Sequence, residues 1–137
     1  MQPVELPGSA HVLVVDDQAG MRLTLKGILG RRGLRVSVAE DGIDALRAAQ
    51  LQPFDAFLLD IKMPGISGVE TFLRLKEFCP KAAVIMMTAH ASEDEVRQAL
   101  DEGALAVLQK PLDMPTLFEI LDGCLKPRVS PKEAEKN

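Results

Sequence analysis

The chain contains no tryptophan and no tyrosine, and aromatic residues make up only 4% of it. Its core is therefore aliphatic, and it lacks the aromatic platforms on which single-stranded nucleic acid stacks. Cysteine is scarce too. Cys79 and Cys124 stand alone, without a C-x-x-C pair or histidines at ligand spacing. That pattern excludes a disulfide framework and leaves buried, reduced thiols in a cytosolic setting. No apolar run approaches the ~20 residues that span a bilayer. Met1–Ala10 has neither the basic start nor the apolar stretch of a signal peptide, so a cytoplasmic location is expected. Nor is there an excess of positive charge: the formal net charge is −4. The segment from Lys126 onward holds four basic and two acidic residues, which leaves −6 on residues 1–125. Such an acidic body repels nucleic acid and attracts metal ions or basic partners.

What is present suits one domain. Over 137 residues, 47% are hydrophobic, enough for a core without a metal or disulfide staple. Short aliphatic runs alternate with helix-period segments. Val12–Val15 reads as a strand ending in Asp16-Asp17, followed by a helix with Met21, Leu25, Ile28 and Leu29 on one face. Gly33 suits the position just past that helix. Leu34–Ala39 alternates apolar and polar residues, as a less buried strand does, and Ile43–Gln50 reads as a short helix before Pro53.

Ala56–Leu59 is a third strand, ending in Asp60, and a loop with Pro64, Gly65 and Gly68 leads into a helix using Val69, Phe72, Leu73 and Phe78. A fourth strand, Ala82–Met87, ends in Thr88. Ser92 and Glu95 fit a capping box for a helix whose buried stripe is Val96, Ala99 and Leu100, closed by Gly103. Ala104–Gln109 is the fifth strand, ending in Lys110-Pro111. Asp113 suits the cap of a last helix with Leu117, Ile120, Leu121 and Cys124 on its face. Residues 1–10 read as an N-terminal extension, 11–126 as the domain, and 127–137 as a polar flexible tail or linker.

Strict βα alternation implies a parallel sheet with helices on both faces, because each parallel crossover needs its own helix. In such sheets ligands bind beyond the carboxyl ends of the strands. Those ends carry Asp16-Asp17, Asp60, Thr88 and Lys110, from four of the five strands. The second strand, ending near Glu40, contributes nothing evident. Two like charges ~4–5 Å apart at an effective dielectric of ~20 cost about 3–4 kcal/mol, so a carboxylate cluster calls for a cation. A few carboxylate oxygens with room for water and phosphate suit Mg²⁺ better than a Ca²⁺ cage or a zinc site. Lys110 adds a fixed positive charge and Thr88 a hydroxyl donor. A nucleophilic carboxylate, a metal and two donors are the parts that phosphoryl transfer requires.

The segments V-L-V-V-D-D-Q, F-L-L-D-I-K-M-P-G-I-S-G, V-I-M-M-T-A-H and L-Q-K-P resemble the response-regulator receiver family of two-component signalling. The resemblance runs from about Val12 to Leu125. It implies a doubly wound five-stranded parallel α/β sheet, (βα)5 and flavodoxin-like, with strand order 2-1-3-4-5. It makes Asp60 the phosphoacceptor, Asp17 a direct metal ligand, Asp16 a ligand through water, and the Lys62 backbone carbonyl part of the metal shell. Thr88 is expected to contact the phosphoryl group, and Lys110 to pair with Asp60 or its phosphate. Pro111 is expected after a cis peptide bond, and Met63-Pro64-Gly65 shapes the turn beside the acceptor. The implied cofactor is Mg²⁺, with Mn²⁺ as a substitute. The implied partner is a histidine kinase or a histidine phosphotransfer protein, and direct binding of nucleic acid or membrane is not expected. A monomer or a weak phosphorylation-dependent dimer fits the resemblance.

Bland alternatives exist for each residue. Asp16 or Asp17 could cap the first helix, Asp60 could be a turn residue, Thr88 a strand terminator, and Lys110 a solvated charge. His90 reads as a surface residue and His11 as solvated. An aspartate-nucleophile phosphatase would want a D-x-D on its first strand and a cap domain, and the chain offers neither. A flavin-binding protein of this fold would need a phosphate loop that Gln18-Ala19-Gly20 does not provide. A non-phosphorylatable interaction domain conflicts with the intact acidic pair, Asp60, Thr88 and Lys110. The chain is therefore expected to be a signalling module rather than a conventional enzyme. On the fifth strand, Val107 stands where family members carry a switching aromatic, and it reads as plain aliphatic packing.

Overall fold

The computed structural model describes residues 9–125. The tail expected at 127–137 lies outside them, as does the N-terminal extension apart from Ser9 and Ala10. Five strands alternate with five helices: β1 (His11–Val15), α1 (Ala19–Arg31), β2 (Arg35–Ala39), α2 (Gly42–Leu51), β3 (Ala56–Asp60), α3 (Gly68–Phe78), β4 (Ala83–Thr88), α4 (Glu93–Asp101), β5 (Ala106–Gln109) and α5 (Met114–Cys124). The strands form one sheet in the order β2-β1-β3-β4-β5, and every pairing is parallel. The parallel sheet is the one expected from the alternation, and its strand order is the one that the family resemblance implied.

The central strands explain their own composition. β1 and β3 are buried along their whole length, which is why their aliphatic residues run on without alternating. β2 and β5 form the edges and are only half-buried. Leu25 and Leu29 of α1 pack with Leu117 and Leu121 of α5 on one face of the sheet. Ala45 and Leu46 of α2, Phe72 and Leu75 of α3, and Ala99 of α4 cover the other. Gly33 and Gly103 follow α1 and α4 with positive φ, where the sequence put helix ends.

Four expectations about burial need correction. His11 is not solvated: it is 6% exposed, its ring lies 4.5 Å from that of Phe54, and its Nε2 is 2.7 Å from Ser37 Oγ. Being the first residue of β1, it is enclosed by neighbours remote in sequence. Phe78 is 46% exposed, and Leu75 takes the buried position on α3. Leu100 is 45% exposed, leaving Ala99 as the buried residue of α4. Cys79 and Cys124 are free but only half-buried, and burial raises both thiol pKa values. Among the described residues, no helix is long and apolar enough to cross a membrane.

Candidate functional site

The carboxyl edge of the sheet collects the residues singled out above. β1 runs directly into Asp16, whose backbone N–H donates to the Ala39 carbonyl at the end of β2. The second strand therefore does contribute, by fixing the backbone of Asp16. The Asp16 side chain is fully buried. Its Oδ1 accepts from the Gln18 N–H at 2.9 Å, and its Oδ2 lies 2.6 Å from Lys110 Nζ. The Arg22 guanidinium donates to the Asp16 carbonyl at 2.7 Å. Neither aspartate caps α1: the N-cap position is Gln18, and it makes no side-chain capping bond. Asp17 is exposed at the mouth of the cluster.

Asp60 ends β3 and is 4% exposed. Its Oδ2 lies 3.2 Å from Lys110 Nζ, and its Oδ1 accepts from the Lys62 N–H at 3.2 Å. One ammonium thus bridges two buried carboxylates. Asp16, Asp17 and Asp60 each present a ligand oxygen, all within 4.8 Å of one another. Three hard, anionic oxygens open to solvent through Asp17 match the donor preference of a small divalent cation.

The electrostatics follow from burial. Desolvation pushes the Asp60 carboxyl above its ordinary value; Lys110 pulls it back and Asp16 pushes it further up. Burial also works against the Lys110 ammonium, but its hydrogen bond to Asp16 and the charge of Asp60 prevail and hold it above its usual value. The Asp60 carboxylate is thus under-neutralised and the lysine firmly charged.

The flanking loops are built to approach. A Cβ on Gly68 would collide with the Asp60 carbonyl oxygen, so only glycine lets α3 start against the end of β3. Its N–H donates to the Ile61 carbonyl at 2.9 Å. Gly65 has φ +81, the left-handed conformation that the turn after Pro64 demands. Thr88 ends β4, one residue beyond Met87, the register partner of Asp60. Thr88 is 4% exposed, and its Oγ1 accepts from the His90 N–H at 3.0 Å. The Lys110–Pro111 peptide is cis. His90 is exposed, as the sequence suggested.

The sequence reading missed three contributors. Gly68 appeared only as a loop glycine, Arg22 went unnoticed, and the Lys62 side chain was not considered. Lys62 Nζ lies 2.9 Å from Glu95 Oε1, reaching from the loop after β3 to the start of α4. The capping-box motif identified Glu95, but a local motif carries no information about a partner 33 positions away.

The response regulator receiver domain family matches residues 12–122, and the chain belongs to that family. A response regulator receiver protein of Anaeromyxobacter sp. (strain Fw109-5) is 39% identical over 79% of this chain, which spans 45% of that protein. Sporulation initiation phosphotransferase F of Bacillus subtilis (strain 168) is 35% identical over 75% of this chain and 83% of its own length. Among solved structures, the response regulator TrrA of Thermotoga maritima in complex with Mg(2+)-BeF is similar, with a TM-score of 0.76 and 30% identity. That match covers 85% of this chain and 99% of the other.

Proposed function

We propose that residues 11–126 form a phosphorylation-dependent switch in which Asp60 accepts a phosphoryl group from a phosphohistidine. The donor is a histidine kinase or a histidine phosphotransfer protein, and Mg²⁺ is the cofactor, with Mn²⁺ as a substitute. The observation that carries this reading is the meeting of three carboxylates and one ammonium at one sheet edge. Two relatives support it by name: the Bacillus protein is a phosphotransferase, and the Thermotoga regulator was solved with Mg(2+)-BeF.

In the transfer, a carboxylate oxygen of Asp60 attacks phosphorus in line with the P–N bond of the donor. That bond breaks, and its electron pair leaves on the imidazole nitrogen, which is left neutral or takes a proton from water. Lys110 holds Asp60 in place and offers its ammonium to a transferred oxygen. The Thr88 hydroxyl, which accepts from the His90 N–H, keeps its own proton to serve as a second donor. Asp17, being exposed, suits a direct metal ligand, and Asp60 suits a second. Asp16 is already engaged by Lys110 and Gln18, which suits contact through water. The Lys62 carbonyl completes the set. When bound, Mg²⁺ would neutralise charge on the oxygens in transfer. The product stays on Asp60, so the chain acts as a signalling module rather than a conventional enzyme; the reading also places it in the cytoplasm, as a monomer or weak phosphorylation-dependent dimer with slow loss of the phosphoryl group.

Intact-mass spectrometry after incubation with acetyl phosphate tests the reading. We expect one phosphoryl adduct that requires Mg²⁺ or Mn²⁺ and is lost in Asp60→Asn. An adduct of equal yield in that variant would refute the assignment.

A further inference from the structure

Beyond the residues that hold metal and phosphate, one surface ion pair has an uncommon position. Lys62 follows the acceptor by two residues, and its N–H already holds Asp60 Oδ1 at 3.2 Å. Its side chain runs outward to Glu95 Oε1 at 2.9 Å. That same oxygen accepts from the Ser92 N–H at 3.1 Å and from Ser92 Oγ at 3.2 Å, while the Glu95 N–H donates back to Ser92 Oγ at 3.1 Å. One carboxylate oxygen thus closes the capping box of α4 and anchors the loop that carries the acceptor. The side chains of Lys62 and Glu95 are 58% and 27% exposed, so the pair lies at the surface and its interest is its position rather than its burial. Lys62 is also the main reason the Glu95 carboxyl lies below its ordinary pKa.

We infer that Glu95 is a positioning residue for the metal and phosphoryl site, acting through Lys62. The pair fixes the Lys62 backbone so that its amide stays on Asp60 and its carbonyl faces the metal position. It also makes the start of α4 mechanically continuous with the acceptor loop. Coupling of this kind is reciprocal, so metal binding must be felt at residues 92–96 before any phosphoryl group arrives. The inference rests on the proposed metal site.

A double-mutant cycle on Mg²⁺ affinity, read by NMR, tests it with Lys62→Met, Glu95→Gln and the pair together. Glutamine at the third helical position preserves a capping box, so loss of the cap is not what is measured. Removing either charge also shifts Mg²⁺ affinity at a distance, Lys62→Met upward and Glu95→Gln downward, but such effects add and cancel in the cycle. We expect a coupling of about threefold in Kd, in the direction that the intact pair favours Mg²⁺. We also expect the Mg²⁺-induced shifts at residues 92–96 to fall by at least half in both single variants. Additive effects on Kd, with an unchanged response at 92–96, would overturn the positioning role while leaving the metal site intact. No Mg²⁺ response at Asp16, Asp17 and Asp60 in the unmodified chain would overturn the metal site itself, and this inference with it.

Discussion

Asp60 and Lys110 touch each other, yet their removal should have opposite consequences. Burial and Asp16 hold the Asp60 carboxyl above its unfolded value, so its ionised form is a net cost to the folded chain at neutral pH. Asp60→Asn should therefore stabilise the metal-free protein. The gain should shrink as pH falls through the folded pKa of Asp60, because the unmodified chain then sheds the same charge by protonation. Lys110→Met leaves Asp16 and Asp60 buried without their shared ammonium, and should destabilise by about 2–4 kcal/mol. Urea unfolding of both variants at pH 7 and pH 5 checks the signs. The acidic pair is separable too. Asp17→Asn should weaken Mg²⁺ binding more than Asp16→Asn, since Asp17 is open to the cation and Asp16 is tied to Lys110 and Gln18. Calorimetric titration decides, and the reverse order would mean the two roles are exchanged.

At the scale of elements, sequence periodicity located every strand and helix because each central strand is a short aliphatic run closed by a polar residue. The misreadings share a cause. Periodicity shows which residues share a helix face but not how far that face extends over the sheet, so Phe78 and Leu100 emerge at helix ends. His11 was misread because Phe54 and Ser37, which enclose it, are brought near only by the fold. The site was legible at Asp16, Asp17, Asp60, Thr88 and Lys110, since parallel topology alone sends strand ends to one edge. Gly68 and the Lys62–Glu95 pair were not, since their meaning is a close approach in space. β5 carries Val107 half-buried against the α3 and α4 side of the core. Valine is stiff about its one torsion and too small to report inward and outward states. Beryllofluoride on Asp60 should therefore perturb amides of residues 88–92 more than those of 105–109. Per-residue NMR shifts measure this, and larger changes along β5 would show that Val107 transmits the switch.

The molecule as a whole divides its labour across one sheet. An aliphatic interior fixes five strand ends, and a net −6 over residues 1–125 gives the body an acidic field that favours cations. Binding of metal and phosphate at that edge can act on distant surfaces only by favouring one arrangement over another. We propose that Asp60 is the residue that carries the phosphoryl group. Borohydride reduces an acyl phosphate to the corresponding alcohol, converting a phosphorylated aspartate to homoserine at that position. Peptide mapping after treatment with acetyl phosphate, Mg²⁺ and borohydride should find homoserine at residue 60 and aspartate at residues 16 and 17. Homoserine at 16 or 17, with residue 60 unchanged, would contradict the account.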